Sequence, residues 1–228
     1  MTVSPADLNR ATGAAAIAAG ALFVGIQIGH PPLDVDTITT TEVAVRNTLK
    51  VLMTALALAG ITGMYLSQIR RNGVLGLIGY LVLAAGYLLI MSSTFSLAYV
   101  LPPVAGTDAS YVTDTLATFS GRTANGDVGA LGTLFQIQSG CFLAGGLLLG
   151  VALYRAHVLA RWASALLAVG GAVTIALSVM PDAFYRLLAL PNGIALIGLG
   201  YSLWRSQRQA DDRPAAAAAA RPEPTPVR

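Results

Sequence analysis

Gly129–Tyr154 reads GALGTLFQIQSGCFLAGGLLLGVALY: 26 residues without a charge, with two glutamines, Gln136 and Gln138, in its first half. At 1.5 Å per helical residue this stretch spans about 39 Å, more than the ~30 Å hydrocarbon layer of a bilayer. It therefore reads as a transmembrane helix. Five further apolar segments flank it, and together they predict an all-α, polytopic transmembrane bundle of six helices.

Composition agrees. The chain has 228 residues, 55% of them hydrophobic and only 11% charged, with a mean hydropathy of +0.66. Soluble domains carry about 25% charged residues, so a soluble globule is excluded. Six spans with short connections use up the length and leave no room for a large extramembrane domain. Of the 14 basic residues only Lys50 is lysine, which together with abundant alanine is the usage of a GC-rich bacterial genome. The first ten residues lack the basic n-region of a cleavable signal, so the first helix is expected to be retained. The lone cysteine, Cys141, excludes an internal disulfide and a CxxC redox pair. A net charge of +3 gives no reason to expect a nucleic-acid partner; the bilayer is the partner that composition implies.

Residues 1–11 are predicted to be a cytoplasmic N-terminus. The spans fall at about 12–29, 47–69, 74–100, 129–154, 162–180 and 184–204, and residues 205–228, rich in Pro and Ala, are expected to be a disordered cytoplasmic tail. His30-Pro31-Pro32 closes the first span, and Leu33–Val45 reads as an exposed loop. Arg70-Arg71-Asn72-Gly73 is a tight polar turn, and Pro102-Pro103 closes the third span. Ala109–Phe119, within the longest connection, has the character of a short interfacial helix. Pro191-Asn192-Gly193 interrupts the sixth span.

With the N-terminus inside, ten Lys and Arg residues fall on the inner side, among them Arg10, Arg70, Arg71, Arg155 and Arg161. Four fall outside: Arg46, Lys50, Arg122 and Arg186. Seven acids lie outside and four inside. The positive-inside rule then puts both termini in the cytoplasm and the chain in the inner membrane as a multi-pass protein.

That orientation gathers the polar side chains of the spans toward the outer half. Gln136, Gln138, Asn192, Ser92, Ser93 and Ser96 are the candidate ligand-binding residues. A buried glutamine needs a partner helix, a wet cleft or a ligand, and interhelical hydrogen bonding is the plainer of these readings. Gln136 and Gln138 sit about 200° apart around the helix and cannot face one partner. Gly25 with Gly29, and Gly146 with Gly150, have the small-xxx-small spacing of close helix packing.

Other chemistry is thin. His30, Asp34 and Asp36 are too few to define a metal site, and none is assigned. Ser139 has no base within reach, so no catalytic residue is named. No acid lies inside a span, which removes the usual carboxylate relay of an ion-coupled antiporter. No cofactor is implied.

The C-terminal half, LYRAHVLARWASALLAVGGAVTIALS followed by LLALPNGIALIGLGYSLW, resembles six-helix bacterial membrane proteins of unknown function frequent in actinobacteria. The resemblance implies architecture and carries no activity. The expected function is binding, or aiding the movement of, a small or lipidic molecule through an outward-facing polar cleft. The alternative is a structural or regulatory partner of another membrane protein, without a ligand; a lipid enzyme ranks last.

Overall fold

A computed structural model describes residues 4–29, 31, 33–177 and 189–219, with side chains for all of these except 173–177 and 207–219. Expectations for His30, for the end of the fifth span at Met180 and for the start of the sixth at Phe184 lie outside the described residues. Those described form helices and turns without a strand.

The first helix, α1 (Pro5–Gly25), begins seven residues ahead of its predicted apolar start because a capping box launches it. Ser4 Oγ accepts from the Asp7 amide at 3.1 Å and the Ser4 amide donates to Asp7 Oδ2 at 3.2 Å, with Pro5 in the first turn. It ends at Gly25; Gly29 lies beyond it in a turn with φ +62°. Helix α2 (Thr41–Leu66) starts on the Thr40 N-cap. Helix α3 (Ile69–Phe95) takes up the chain after Gln68, with Gly73 at φ 56°, ψ −160° separating its first turn from the rest.

Pro102 and Pro103 do not close this span. The rod widens to a π-helical turn at Ser96–Val100 and continues as α4 (Leu101–Ala105). A proline has no amide proton and crowds the carbonyl four residues back, and a wider turn relieves both conflicts without ending the helix.

Helix α5 (Ala109–Phe119) follows, then α6 (Leu131–Ala156), which stops at His157 in the left-handed region (φ 54°). The His157 ring nitrogen Nδ1 folds back to the Arg155 carbonyl at 3.0 Å, so this histidine serves the helix end. Helix α7 (Arg161–Leu177) and α8 (Ala189–Ala219) are the last of the described elements. Helix α8 runs without a break through Pro191-Asn192-Gly193, where an interruption was expected. It also runs past Arg205, where a disordered tail was expected; alanine, the strongest helix former, fills 215–219.

Among the described residues, four helical stretches are long and apolar enough to cross a membrane: Pro5–Gly25, Thr41–Leu66, Ile69–Ala105 and Leu131–Ala156. They mark a membrane protein built as a helical bundle. Neighbours pack in the cyclic order α1, α2, α3, α6, α7, α8 and back to α1. Helix α6 is one member of this ring.

Glycines make most of the seams. A Cβ on Gly13 would meet the Gly200 carbonyl at 2.8 Å, and Gly20 abuts Gly193. Gly60 lies on Ala16 and Gly63 on Thr12; Gly79 lies on Leu149, Gly86 on Phe142 and Gly145 on Leu83. Along each seam one partner's number rises as the other's falls, so the neighbours run antiparallel. Inside the ring Leu83, Tyr87, Leu149, Leu153, Leu196 and Leu199 form the core.

A second, smaller core caps the end where α1 finishes and α2 begins. Ile38, fully buried, meets Leu97, Leu101, Val112 and Leu116. The stretch 33–40, read from sequence as an exposed loop, is thus partly an apolar anchor. Asp114 ties down the following connection by accepting from the Asn125 and Gly126 amides at 2.8 and 3.0 Å.

Gly79→Leu drives a side chain into the α6 backbone and is expected to cost about 3 kcal/mol, whereas Gly140→Leu, with open space around it, is expected to cost almost nothing. Comparing the thermal loss of the monomer peak in detergent checks this. The cap is expected to respond to acid. Asp108 accepts from the Tyr111 amide, and Asp34 from the Thr37 amide, and these bonds hold both carboxyls below their ordinary value of 3.8. Their contribution is present above that value and disappears as pH falls through the lowered one. Hydrogen exchange at Tyr111, corrected for intrinsic rate, is expected to accelerate in that window, and Asp108→Asn, a neutral cap, to remove the dependence.

Candidate functional site

The polar residues predicted to form one outward cleft are divided by the ring. Ser93 on α3 and Gln138 on α6 meet across their seam: the Ser93 hydroxyl lies 3.1 Å from Gln138 Oε1 and 3.0 Å from the Ile90 carbonyl. One proton cannot serve both acceptors fully. Turning the amide over lets Gln138 Nε2 donate to Ser93 while Ser93 donates to Ile90, which satisfies all three groups. The pair is an interhelical hydrogen bond.

Asn192 occupies a different seam. It is 3% exposed on α8 and lies against Gly170 of α7, where a Cβ would be 2.7 Å from Asn192 Oδ1. Gln136 and Ser92 are exposed on the outer faces of α6 and α3, and Ser96 donates to the Ser92 carbonyl at 3.1 Å. These six residues do not converge on one cavity.

The packing glycines also separate. Gly146 faces Gly171 at 3.4 Å and Gly150 lies on Ala168, both on α7. Gly25 and Gly29 pack against no neighbouring helix face: a Cβ at Gly25 would find no atom within 4 Å, and Gly29 is a turn residue beside the Arg46 guanidinium. The spacing fits helix packing, but α1 has turned that face away from its neighbours.

Gly25 instead floors a groove of about 650 Å³ between the end of α1 and the start of α2. Ala21, Leu22, Ile26, Val45 and Leu49 wall it, and Glu42 and Arg46 stand at its rim. Arg46 had entered the sequence reading only as a charge. Its Nε and Nη2 hold Glu42 Oε1 at 3.0 Å each, Nη1 donates to the Ile26 and Ile28 carbonyls at 2.9 and 3.0 Å, and Nη2 donates to the Gly29 carbonyl at 2.9 Å. Four hydrogen bonds and the ion pair with Glu42 commit the guanidinium. The cation caps the carbonyl end of α1, where the helix dipole is negative, and welds it to α2.

The i, i+4 spacing of Glu42 and Arg46 was a legible signal for their pairing. The three carbonyls were not, since they depend on how the α1–α2 connection folds back. Among the described residues no group of three metal-ligating side chains exists. The groove offers apolar walls and a rim whose cation is already paired with Glu42 and three carbonyls, chemistry suited to an alkyl chain and ill suited to an anion.

No family model, curated protein or solved structure matches the chain.

Ser93→Ala and Gln138→Leu are each expected to cost roughly 1 kcal/mol, and the double variant no more than the larger single loss, because both remove one bond. A double-mutant cycle from reversible unfolding in mixed micelles reads this directly.

Proposed function

We propose that this chain is a multi-pass protein of the bacterial cytoplasmic membrane that binds a lipidic molecule in the groove over Gly25. The observation that carries the reading is the groove itself. It has apolar walls on two helices that qualify as membrane spans and open space above a glycine, and its rim arginine is already committed to Glu42 and three backbone carbonyls. An alkyl chain lying along α1 and α2 removes apolar area from water at ~25 cal/mol per Å², with any polar head at Glu42 and Thr41.

Six spans, α1, α2, the α3–α4 rod, α6, α7 and α8, with both termini cytoplasmic, go with this proposal. Two observations support the topology. The antiparallel ring brings the start of α1 beside the Trp204 end of α8, as Gly13 against Gly200 and Trp204. The turns at that end carry Arg70, Arg71, Arg155 and Arg161, whereas the capped end carries most of the acids, which the positive-inside rule reads as outside. The groove then opens at the level of the outer leaflet. The polar cleft of Gln138 and Asn192 has no part in it, since each is used in a helix seam.

Gly25→Phe tests the proposal, because it fills the groove without touching the bundle. Native mass spectrometry of wild-type protein released from membrane-derived nanodiscs is expected to show a lipidic adduct, and the variant to lose it at unchanged melting temperature. An adduct that survives in the variant rules the groove out. A second protein retained by the wild type and lost by the variant replaces this reading with a structural partner role.

A further inference from the structure

At the end of α2 opposite the groove lies a second pocket, of about 390 Å³, walled by Leu66, Ser67, Gln68, Arg70, Arg71 and, from the α6–α7 connection, Val158. Helix α2 puts Leu66 about 36 Å from Glu42 at 1.5 Å per residue, so the two cavities stand roughly a bilayer apart. The pocket is at headgroup depth on the arginine-rich side.

Its chemistry is unbalanced. Gln68 is 5% exposed, yet neither Nε2 nor Oε1 has a hydrogen-bond partner. Asn72, one helical turn on, donates to the Tyr65 carbonyl at 3.4 Å and leaves Oδ1 unpaired. Buried amides are almost always satisfied, because an unmade bond leaves the full desolvation penalty standing. Beside them Arg70 and Arg71 are exposed, with no ion pair among the described residues. Ser67 is already committed to the Met64 carbonyl at 3.0 Å. The pocket wall thus holds two unpaired guanidinium forks and a buried amide donor, and no acid.

We propose that this pocket binds a phosphate group. Arg70 and Arg71 take its oxygens in their planar forks, which match phosphate geometry in a way that an ammonium does not. Gln68 Nε2 donates to an oxygen that reaches the pocket floor. The phosphate belongs either to the headgroup of an anionic phospholipid of the adjacent leaflet or to a free phosphate from the cytoplasm. The site is independent of the groove over Gly25.

The full-length protein is tested with two probes. In nanodiscs of phosphatidylcholine containing a minor fraction of phosphatidylglycerol, native mass spectrometry counts the phosphatidylglycerol retained; in detergent, inorganic phosphate is titrated while melting is followed. Retention of one phosphatidylglycerol with no response to free phosphate identifies the lipid source, and a saturable rise in melting temperature identifies the free one. In either case Gln68→Leu and Arg70→Lys/Arg71→Lys are each expected to weaken binding about tenfold. The lysine pair keeps the charge and loses the forks. If it binds like the wild type, general surface charge is at work and the proposal fails; it fails equally if the wild type binds neither probe. Should Gln68→Leu not fold, the lysine pair, placed on exposed side chains, still decides.

Discussion

Backbone-to-backbone approach at glycine is the constraint on which the rest of this structure depends. In lipid, apolar side chains gain nothing by leaving the tails for one another, so helices are held by close van der Waals contact and a few hydrogen bonds. Here Gly13 meets Gly200, Gly20 meets Gly193, and Gly79, Gly86 and Gly145 set α3 against α6. Both α1 and α8 place their contact glycines seven residues apart, two helical turns, so one face of each can touch along its length. A ring of antiparallel neighbours closes only with an even number of members, and α1 against α8 is the closing seam.

Closure makes the two ends different. At one end the chain between α1 and α2, the π turn, α4 and α5 bury Ile38, Leu97, Leu101, Val112 and Leu116 in a separate small core. Arg46 binds Glu42 and the end of α1 there. That weld holds α1 beside α2 at the place where the Gly25 face finds no neighbour. At the other end the turns are short and basic, Arg161 stacks 4.3 Å over the Tyr154 ring, and Ser202 accepts from the Ala160 amide at 3.0 Å, joining the start of α7 to α8. There the unmet hydrogen bonds gather at Gln68 and Asn72.

The two cavities ask for opposite chemistry. The groove has its cation neutralised and its walls apolar; the basic-end pocket has two forks free and an amide buried without a partner. A single α2 helix joins them, so a molecule at one end and a phosphate at the other would touch the same rigid element.

How much of this was legible from the chain divides along the range of the interactions. Apolar length and the placing of arginines depend only on composition along a segment, so the helical membrane character and a helix at Ala109–Phe119 could be read directly, whereas the polar turn expected at Arg70–Gly73 falls at Ser67-Gln68, with Arg70–Asn72 in the first turn of α3. The capping box at Ser4 was equally local, yet the apolar pattern drew the eye to Thr12 instead. Polarity alone grouped Gln138 with Asn192, because a sequence records that a side chain is polar and at what depth, but not which seam it enters; the ring put Ser93 in reach of the first and Gly170 beside the second. The same holds for glycine: Gly25 and Gly146 share a spacing, and only the rotation of each helix about its axis decided that one is packed and the other lines a groove. Arg46 could be seen to pair with Glu42 four residues away, but its carbonyl partners at Ile26, Ile28 and Gly29 exist only once the connection folds back. The amino-acid sequence by itself determined a set of apolar helices and their charged ends. Which faces meet, and so which cavities remain, was decided by tertiary packing, since close contact between helices depends on distances that no local pattern encodes.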